Sequence, residues 1–346
     1  MFDGNAVRYL DGLSSMFNSR FISHKPFFLA HAITYACNSK CKTCTYWRMS
    51  DQIDKNLKTE EVFDLLVNAY KVGMRGYYLF GGEPLVRKDI EEILDFAKRK
   101  GFITTMNTNA SLLKQKAESL SENLDFAFVS LDYPGTHHDY IRGRKGAFDE
   151  VVDGIKRLQE LGKTRITLVS TISNLNFDKI EAMAQFAVDL GIGISYNAVE
   201  PTVQSSFEEG RTDSVVKAYG LSSLELQQFY KTLLRLKKEG YPLMETEHVI
   251  RDHIANKPFK CYFPKIFVYV SPDGKIFSCT YDHTYDLKTG SFEDYFKSKL
   301  YQNHVKMAET CNICLRTCVR MYSYTYALYP KHFFRLISDI KILAKQ

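Results

Sequence analysis

Apolar residues recur along most of the chain in two alternating patterns, one helical and one strand-like. Helical spacing marks segments at residues 59–72, 88–99, 111–121, 147–161, 177–190 and 222–239. Short apolar runs alternate with them at Phe27–Thr34, Tyr77–Phe80, Phe102–Asn107, Phe126–Leu131, Arg165–Ile172 and Gly193–Asn197. Strands separated by helices cannot pair as hairpins, so they form a parallel sheet through right-handed crossovers. The pattern therefore predicts an α/β fold in which six strand–helix units curve into a partial (β/α)6 barrel.

The alternation stops near residue 260, where the pattern changes to a hairpin. Strands are predicted at Lys265–Val270 and Lys275–Thr280, because Pro272 presets the turn between them and Gly274 tolerates positive φ. We therefore divide the chain into four parts. They are an N-terminal amphipathic helix (1–25), a barrel core (26–240), a small hairpin-containing domain (241–320) and a C-terminal amphipathic helix (321–346).

Both predicted terminal helices are amphipathic. The apolar side of the first carries Ala6, Val7, Leu10, Leu13, Phe17 and Phe21, and that of the last carries Phe333, Leu336, Ile337, Ile340 and Leu343. We expect both helices to pack on the barrel. The alternative is contact with a lipid surface or a lipid-like substrate, because Phe and Ile opposite Lys and Arg are typical of an interfacial helix.

Composition and charge narrow the class of protein. The 346 residues are 45% hydrophobic and 25% charged, which excludes a disordered chain, collagen and a coiled coil. The net charge of +6 is too dispersed to indicate a nucleic-acid partner. Apolar runs stay short of the roughly 18 residues that span a bilayer, and the first residues do not have the pattern of a signal peptide. These features predict a cytoplasmic protein, with peripheral membrane contact as the alternative that the amphipathic ends leave open.

Eight cysteines fall into two groups, which is a distribution typical of metal sites rather than of a disulfide scaffold. Cys37, Cys41 and Cys44 lie in the loop after the first strand, and Cys261, Cys279, Cys311, Cys314 and Cys318 follow the barrel. A cubane iron–sulfur cluster usually takes four cysteines, so three leave one iron open. A structural zinc site needs a nearby fourth ligand, and none stands at the usual spacing from the first group.

The CX3CX2C spacing of Cys37, Cys41 and Cys44 resembles that of the radical S-adenosylmethionine (radical SAM) superfamily. The resemblance implies a TIM-like barrel and a [4Fe–4S] cluster whose open iron binds S-adenosylmethionine. Reductive cleavage of this cofactor then yields a 5′-deoxyadenosyl radical, which abstracts a hydrogen atom from substrate. Gly81-Gly82-Glu83-Pro84, directly after the second strand, matches the GGEP element of the family, whose backbone and Glu side chain meet the methionyl ammonium.

Further positions are similar to S-adenosylmethionine contacts of the family. The stretch from Asp132 to Gly143 resembles the DxxxHDxxRG motif of the peptide-modifying branch, which implies that Arg142 meets the carboxylate of the cofactor. Other expected contacts, near the ends of the third to sixth strands, are Asn109, Ser130, Ser173, Asn197 and Glu200. For each of these residues a turn or capping role is the alternative. No catalytic residue is predicted beyond the cofactor bound to the cluster.

The second cysteine group is similar to the auxiliary-cluster modules of some radical SAM enzymes. Cys261, Gly274 and Cys279 fit the CX9–15GX4C element that opens SPASM and twitch domains. The resemblance implies one auxiliary [4Fe–4S] cluster held by Cys261, Cys279, Cys311 and Cys314, with Cys318 as a spare or alternative ligand. A zinc ribbon built from the same pairs is the other interpretation.

The sequence thus predicts a radical SAM enzyme that abstracts a hydrogen atom from a small-molecule or lipid-like biosynthetic substrate. The auxiliary cluster would act as an electron relay, and a reductant such as flavodoxin or ferredoxin would supply electrons. One alternative is a maturase that modifies a ribosomal peptide or protein. An alternative of another class is a non-catalytic iron–sulfur or zinc-binding protein, which would not turn over S-adenosylmethionine.

Overall fold

The computed structural model describes residues 4–199, 213–277, 284–311 and 317–327, and its strands join in a single sheet. The strands are β1 (Phe28–Ala32), β2 (Gly76–Phe80), β3 (Ile103–Thr108), β4 (Phe126–Ser130), β5 (Arg165–Ile172), β6 (Gly193–Ala198), β7 (Phe267–Val270), β8 (Lys275–Phe277) and β9 (Tyr285–Asp286). Their order across the sheet is β6-β5-β4-β3-β2-β1-β7-β8-β9. Strands β1 to β7 are parallel, whereas β8 and β9 are antiparallel to their neighbours.

Helices connect the parallel strands as the sequence predicts, and further helices precede β1 and follow β9. They are α1 (Gly4–Asn18), α2 (Thr59–Lys71), α3 (Ile90–Lys100), α4 (Leu113–Asn123), α5 (His137–Arg142), α6 (Ala147–Leu161), α7 (Ile180–Asp189), α8 (Asp213–Tyr219), α9 (Ser223–Lys238), α10 (Glu247–Ile254), α11 (Phe292–Lys297), α12 (Lys299–Thr310) and α13 (Thr317–Tyr326). Across the described ranges, none of these helices is long and apolar enough to cross a membrane. The predicted α/β class and the (β/α)6 succession are confirmed.

The sheet has an outer face that packs against helices and an inner face that lines the barrel. Leu29, Leu79 and Val129 are fully buried on the outer face, in one core with the helices. Because side chains alternate along a strand, Phe28 and Tyr78 lie on the inner face. The loops that follow the carboxyl ends of β1 to β6 therefore share one rim of the barrel, which we call the mouth.

The predicted hairpin is present, and its first strand continues the barrel sheet. Strand β7 pairs in parallel with β1, with Phe267 opposite Phe28, and then pairs antiparallel with β8. The hairpin that was expected to open a separate domain is thus continuous with the barrel. The expected boundary after residue 320 falls inside α13. The predicted C-terminal apolar face, from Phe333 onward, lies outside the described residues.

The N-terminal helix packs on the barrel through its polar side, whereas its apolar pattern suggests that the apolar side would be buried. Arg8 is buried and forms an ion pair with Asp125, at 2.5 Å from Nη1 to Oδ2, while Val7 and Phe17 are more than half exposed. The apolar pattern indicates the helix correctly, but not which side is buried. The reason is that the N-terminal ends of β2 to β4 present polar groups to α1. The helix ends at Asn18, and a π-helical turn, Ser19–Ser23, follows it.

Candidate metal and cofactor site

The three cysteines of the CX3CX2C motif lie in the loop after β1, at the mouth. Cys41 is buried, and Cys37 and Cys44 are half-buried. Burial raises the pKa of the Cys37 thiol to about 12, so the thiolate form requires a compensating cation. Within the described ranges, no three His, Cys, Asp or Glu side chains converge on a single ion. Three thiols in one loop are one short of the four that usually hold a cubane cluster, in which each thiolate binds a different iron.

The Gly81-Gly82-Glu83 segment lies directly against the cysteine loop. The amides of Gly82 and Glu83 donate to the carbonyls of Thr34 and Ala36, at 2.9 and 2.8 Å. A Cβ on Gly82 would stand 2.0 Å from the Ala36 oxygen, and Gly81 has a φ of +123°. The close approach that these glycines permit in this structure is therefore to the backbone that carries the cysteines.

Glu83 joins two loops of the mouth through its carboxylate. Oε1 accepts hydrogen bonds from the Leu85 amide at 3.0 Å and from the Thr108 hydroxyl at 2.7 Å, and Oε2 accepts one from the Asn109 amide at 2.6 Å. Pro84 begins a short 3-10 turn, Pro84–Val86, which Glu83 caps. Burial raises the pKa of Glu83, while these hydrogen bonds oppose that shift.

Asn109 extends this network to the cysteine loop. Its Nδ2 donates to Asn38 Oδ1 at 2.9 Å and to Ser39 Oγ at 3.1 Å. Asn38 in turn donates to the Ser111 hydroxyl at 2.8 Å. The loops after β1, β2 and β3 are thereby fixed to one another by side chains. The roles of Asn38 and Thr108 carry no signal in the sequence, because they depend on contacts between distant loops.

Arg142 connects the cysteine loop to the end of β4. Its Nε forms an ion pair with Asp132 Oδ2 at 2.8 Å, and its Nη1 lies 3.9 Å from Cys41 Sγ. The positive charge lowers the pKa of the Cys41 thiol, against the larger effect of burial, which raises it. A Cβ on Gly143 would stand 2.4 Å from the Lys40 oxygen, so α5 also packs tightly on this loop.

The remaining residues of the Asp132–Gly143 stretch hold this arrangement in place. Asp132 donates its amide to Nδ1 of His138 at 3.1 Å, and burial lowers the pKa of His138, which keeps the ring neutral. Asp139 accepts from the amides of Gly146 and Phe148, at 2.6 and 2.9 Å, at the start of α6. His138, which the sequence indicates only as part of the motif, is thus a buried residue that positions the backbone of Asp132.

The other expected cofactor contacts fall in two environments. Ser130 and Asn197 are half-buried on the inner face, at the ends of β4 and β6. Ser173 is fully buried, and its hydroxyl donates to Asn176 Oδ1 at 3.2 Å, which is a turn contact. Glu200 lies outside the described residues.

The inner face of the barrel has an aromatic side and a side of mixed character. The aromatic side, from β1, β2, β7 and α13, consists of Phe28, Tyr78, Phe80, Phe267, Tyr269 and Tyr322. The other side, from β3 to β6, is mixed: it carries the polar residues Thr105, Asn107, Ser130, Thr167, Thr171, Ser195 and Asn197 together with Phe126, Phe128 and Val169. Tyr322 is 37% exposed, and desolvation raises the pKa of its hydroxyl.

Three cysteines of the second group fall within the described residues. Lys260, beside Cys261, lies 3.8 Å from Glu309, which precedes Cys311 by two positions. The Tyr262 amide donates to Ser323 on α13, the helix that also carries Cys318. Cys318 packs against the apolar cluster that contains Cys261. The segments around Cys311 and Cys318 thus both lie beside the segment around Cys261. Cys279 and Cys314 lie outside the described residues.

Comparison with known proteins identifies the barrel. Residues 32–187 match the family model of the Radical SAM superfamily. Fe-coproporphyrin III synthase of Methanosarcina barkeri is 34% identical over 153 residues, which are 44% of this chain and 38% of the synthase. PqqA peptide cyclase of Bradyrhizobium diazoefficiens is 23% identical over 252 residues, 71% of this chain and 64% of the cyclase. The chain thus spans less than two thirds of either relative.

The fold is shared with a solved structure of similar architecture. Streptococcus suis SuiB bound to S-adenosylmethionine superposes with a TM-score of 0.65 and 17% sequence identity. The match covers 84% of this chain and 70% of the SuiB chain. At 17% sequence identity, this structural similarity shows that the two proteins share a fold.

Proposed function

Residues 32–187 match the Radical SAM superfamily model, and we propose that the chain is an enzyme of this superfamily that abstracts a hydrogen atom from a substrate held inside its barrel. The family implies a [4Fe–4S] cluster and S-adenosylmethionine, which together supply a 5′-deoxyadenosyl radical when an external reductant delivers an electron. Cys37, Cys41 and Cys44 are the proposed ligands of the cluster. The observation that carries this proposal is that three buried or half-buried thiols lie in one loop at the mouth. Backbone amides after β2 and the side chains of Asn109 and Arg142 hold this loop.

The protein's own residues orient the cofactor by holding the cysteine loop. Glu83 and Asn109 fix this loop to the ends of β2 and β3, and Arg142 fixes it to Asp132. We propose that the backbone of Gly81–Pro84 and the side chains of Asn109 and Arg142 border the bound S-adenosylmethionine. Ser130, Asn197 and Glu200 are proposed as contacts with its other parts. Ser173 is proposed to position the turn that borders the cofactor, because its hydroxyl bonds to Asn176 within that turn.

The proposed substrate is a small organic molecule with an apolar face and hydroxyl or amide groups. The aromatic rings on one side of the inner face, and the hydroxyl and amide groups that stand beside Phe126 and Phe128 on the other, support this class, because such a molecule has both apolar and polar parts to complement. A peptide substrate is the second candidate. It is supported by the relative named PqqA peptide cyclase and by the Asp132–Gly143 stretch.

We propose a second [4Fe–4S] cluster held by Cys261, Cys279, Cys311 and Cys314, with Cys318 as the alternative to Cys314. The neighbouring positions of the segments around Cys261, Cys311 and Cys318 support it. A cluster closed by four cysteines would relay an electron from a substrate radical rather than bind substrate. Flavodoxin or ferredoxin is the proposed reductant, and the cytoplasm is the proposed compartment.

Anaerobic reconstitution tests the proposal. The protein should bind about eight irons in two cubanes and should form 5′-deoxyadenosine with a strong reductant. Replacing Cys37, Cys41 and Cys44 with Ala should abolish this product and leave about four irons. Cys318→Ala serves as the matched control and should still form 5′-deoxyadenosine. Tightly bound zinc and no turnover of S-adenosylmethionine would instead indicate a non-catalytic metal protein.

The substrate is best identified by deuterium transfer. Deuterated candidates should place the label in 5′-deoxyadenosine only when the correct hydrogen atom is removed. Hydroxylated small molecules and synthetic peptides form the two arms of this assay. Transfer from a peptide alone would contradict the proposed small-molecule class and leave the radical chemistry intact.

A further inference from the structure

The loop that carries the CX3CX2C cysteines turns basic side chains outward. Cys41 is buried, whereas its neighbours Lys40 and Lys42 are exposed and half-buried, respectively. Residues 36–50 contain three cationic side chains, of which the third is Arg48, and no acidic side chain. Within the part of the chain that the structure describes, none of these three cations forms an ion pair. The outer surface of the loop therefore carries positive charge that no neighbouring acid compensates.

Two aromatic rings join these cations into one surface. Lys40 Nζ lies 5.8 Å from the centre of the Trp47 ring, and Arg48 Cζ lies 5.2 Å from the centre of the same ring. Lys42 Nζ stands 4.2 Å from the centre of the ring of Tyr140, a residue of α5 that is 54% exposed. We call these five side chains the loop face.

The loop face is bonded directly to the backbone that holds the cysteines. The Trp47 indole donates from Nε1 to the Cys44 carbonyl at 2.9 Å. The Lys42 amide donates to the Ile141 carbonyl at 2.9 Å, which joins the cysteine loop to α5 beside Tyr140. A protein that docks on this face thus comes close to the three proposed cluster ligands without entering the barrel.

The charge and size of the loop face favour an acidic protein that carries electrons. Complexes of electron-transfer proteins bury less than about 1,200 Å² in total, which a few side chains on each partner supply. Trp, Tyr and Arg, which the loop face combines, are enriched in protein interfaces. Surface cations attract an acidic partner over a distance and speed its association. Because electron transfer slows steeply with distance, such a carrier must dock close to the centre that it reduces.

The extent of the positive charge argues against a nucleic acid. Asp51 and Asp54 follow Arg48 in the same 3-10 segment, Tyr46–Lys55, so the basic run ends there. A nucleic-acid surface is a longer basic patch or stripe, and the other cations of this chain are dispersed along the sequence. Three cations beside two rings suit a small interface with a protein.

We propose that the loop face is the docking surface of an acidic one-electron carrier protein, of the flavodoxin or ferredoxin class. The carrier is oxidised by one electron there, and that electron passes to the cluster that Cys37, Cys41 and Cys44 are proposed to hold. The use of the electron rests on the proposed function, whereas docking is measured without the reaction.

The docking test measures binding of a purified flavodoxin and of a plant-type ferredoxin to the reconstituted full chain, by biolayer interferometry without oxygen. The wild type should bind at least one of them. Lys40→Glu with Lys42→Glu should lower the association rate constant at least tenfold at low salt, because two attractive charges become repulsive. The difference should shrink from roughly 0.1 to 1 M salt, as the Debye length falls from about 10 Å to about 3 Å.

A matched control changes the same net charge elsewhere. Lys231 and Lys238 are exposed on α9, on the outer side of the barrel, and neither has an ion pair within the described ranges. Lys231→Glu with Lys238→Glu should associate with either carrier nearly as fast as the wild type does. If the double variant in the loop face does not take up iron, Arg48→Glu, outside the CX3CX2C motif, replaces it and should slow association about threefold or more, as expected for one reversed charge.

A chemical reductant separates docking from the reaction. With dithionite, Lys40→Glu with Lys42→Glu should form 5′-deoxyadenosine as the wild type does. With subsaturating reduced flavodoxin, its initial rate should fall at least tenfold, in step with the association rate constant. Carrier binding by the wild type with no 5′-deoxyadenosine under either reductant would contradict the proposed function and leave the docking surface intact.

Three outcomes would overturn the docking proposal. The first is that neither carrier binds the wild type, or that Lys40→Glu with Lys42→Glu associates as fast as the wild type does. The second is equal slowing by the α9 control, which would make the effect one of net charge alone. The third is a single-stranded oligonucleotide that binds more tightly than either carrier and is lost on Lys40→Glu with Lys42→Glu, which would assign the loop face to a nucleic acid.

Discussion

Glu83 should stabilise the mouth before any cofactor binds, and Glu83→Gln tests this. The carboxylate is fully buried and accepts three hydrogen bonds, from the Leu85 amide, the Thr108 hydroxyl and the Asn109 amide. Glutamine keeps the shape but replaces one acceptor oxygen with an NH2 group. In one orientation the NH2 group faces the Asn109 N–H, and in the other it faces the Leu85 N–H.

The cost follows from the lost acceptor. A hydrogen bond to a charged group contributes about 1.5–3 kcal/mol, and a buried N–H without a partner costs about 1–3 kcal/mol. Burial raises the pKa of Glu83, so neutral glutamine recovers part of the desolvation energy of the carboxylate. We therefore expect a net loss near the lower end of the combined range, about 2–3 kcal/mol in the free energy of unfolding.

Urea unfolding of the apo-protein without oxygen, iron or S-adenosylmethionine measures this loss. The midpoint should fall at an unchanged slope, as expected when stability changes without a change in the surface exposed. Glu60→Gln, at an exposed position at the start of α2, is the matched control and should leave the midpoint in place. Equal apo stability of wild type and Glu83→Gln, with binding of S-adenosylmethionine lost, would refute the reasoning and make Glu83 a ligand contact only.

Two further substitutions test the packing. Asp125→Asn should cost about 3–5 kcal/mol, because it leaves Arg8 buried without its partner. Ion pairing with Arg8 lowers the pKa of Asp125 in the folded protein. The stabilisation from this pair is therefore present above the pKa of an unfolded Asp and is lost as the pH falls through the folded pKa. The free energy of unfolding, measured in urea across acid pH, should fall less steeply for Asp125→Asn than for the wild type. Gly82→Ala should reduce iron uptake and cost about 1–3 kcal/mol or more, whereas Gly193→Ala, with ordinary contacts, should not.

Local patterns determined most of the barrel. Helix α6 and strand β5 begin and end where their apolar spacing predicts, at Ala147–Leu161 and Arg165–Ile172. The apolar residues of each element lie on its buried face, so their period in the sequence shows whether the element is a helix or a strand. The cysteine motif is equally local, because three cysteines within eight residues share one loop whatever surrounds them.

The hydrogen bonds inside the site could not be predicted from the sequence. Asn38 follows Cys37 and Thr108 precedes Asn109, so the sequence places both at the mouth, but their hydrogen-bond partners, Ser111 and Glu83, depend on how the parallel strands bring the loops together. The motif from Asp132 to Gly143 was visible, but the roles of His138 and Asp139 were not. Those roles are hydrogen bonds to backbone amides whose positions depend on the folded chain.

The sequence by itself determined the succession of strands and helices, the two cysteine groups and the amphipathic character of α1. Tertiary structure decided that β7 extends the barrel beside β1 and that α1 docks through Arg8 rather than through Phe17. Both outcomes rest on partners far away in the chain. Apolar periodicity reports how a segment divides its own residues, whereas the side that becomes buried depends on the groups that the rest of the fold presents to it.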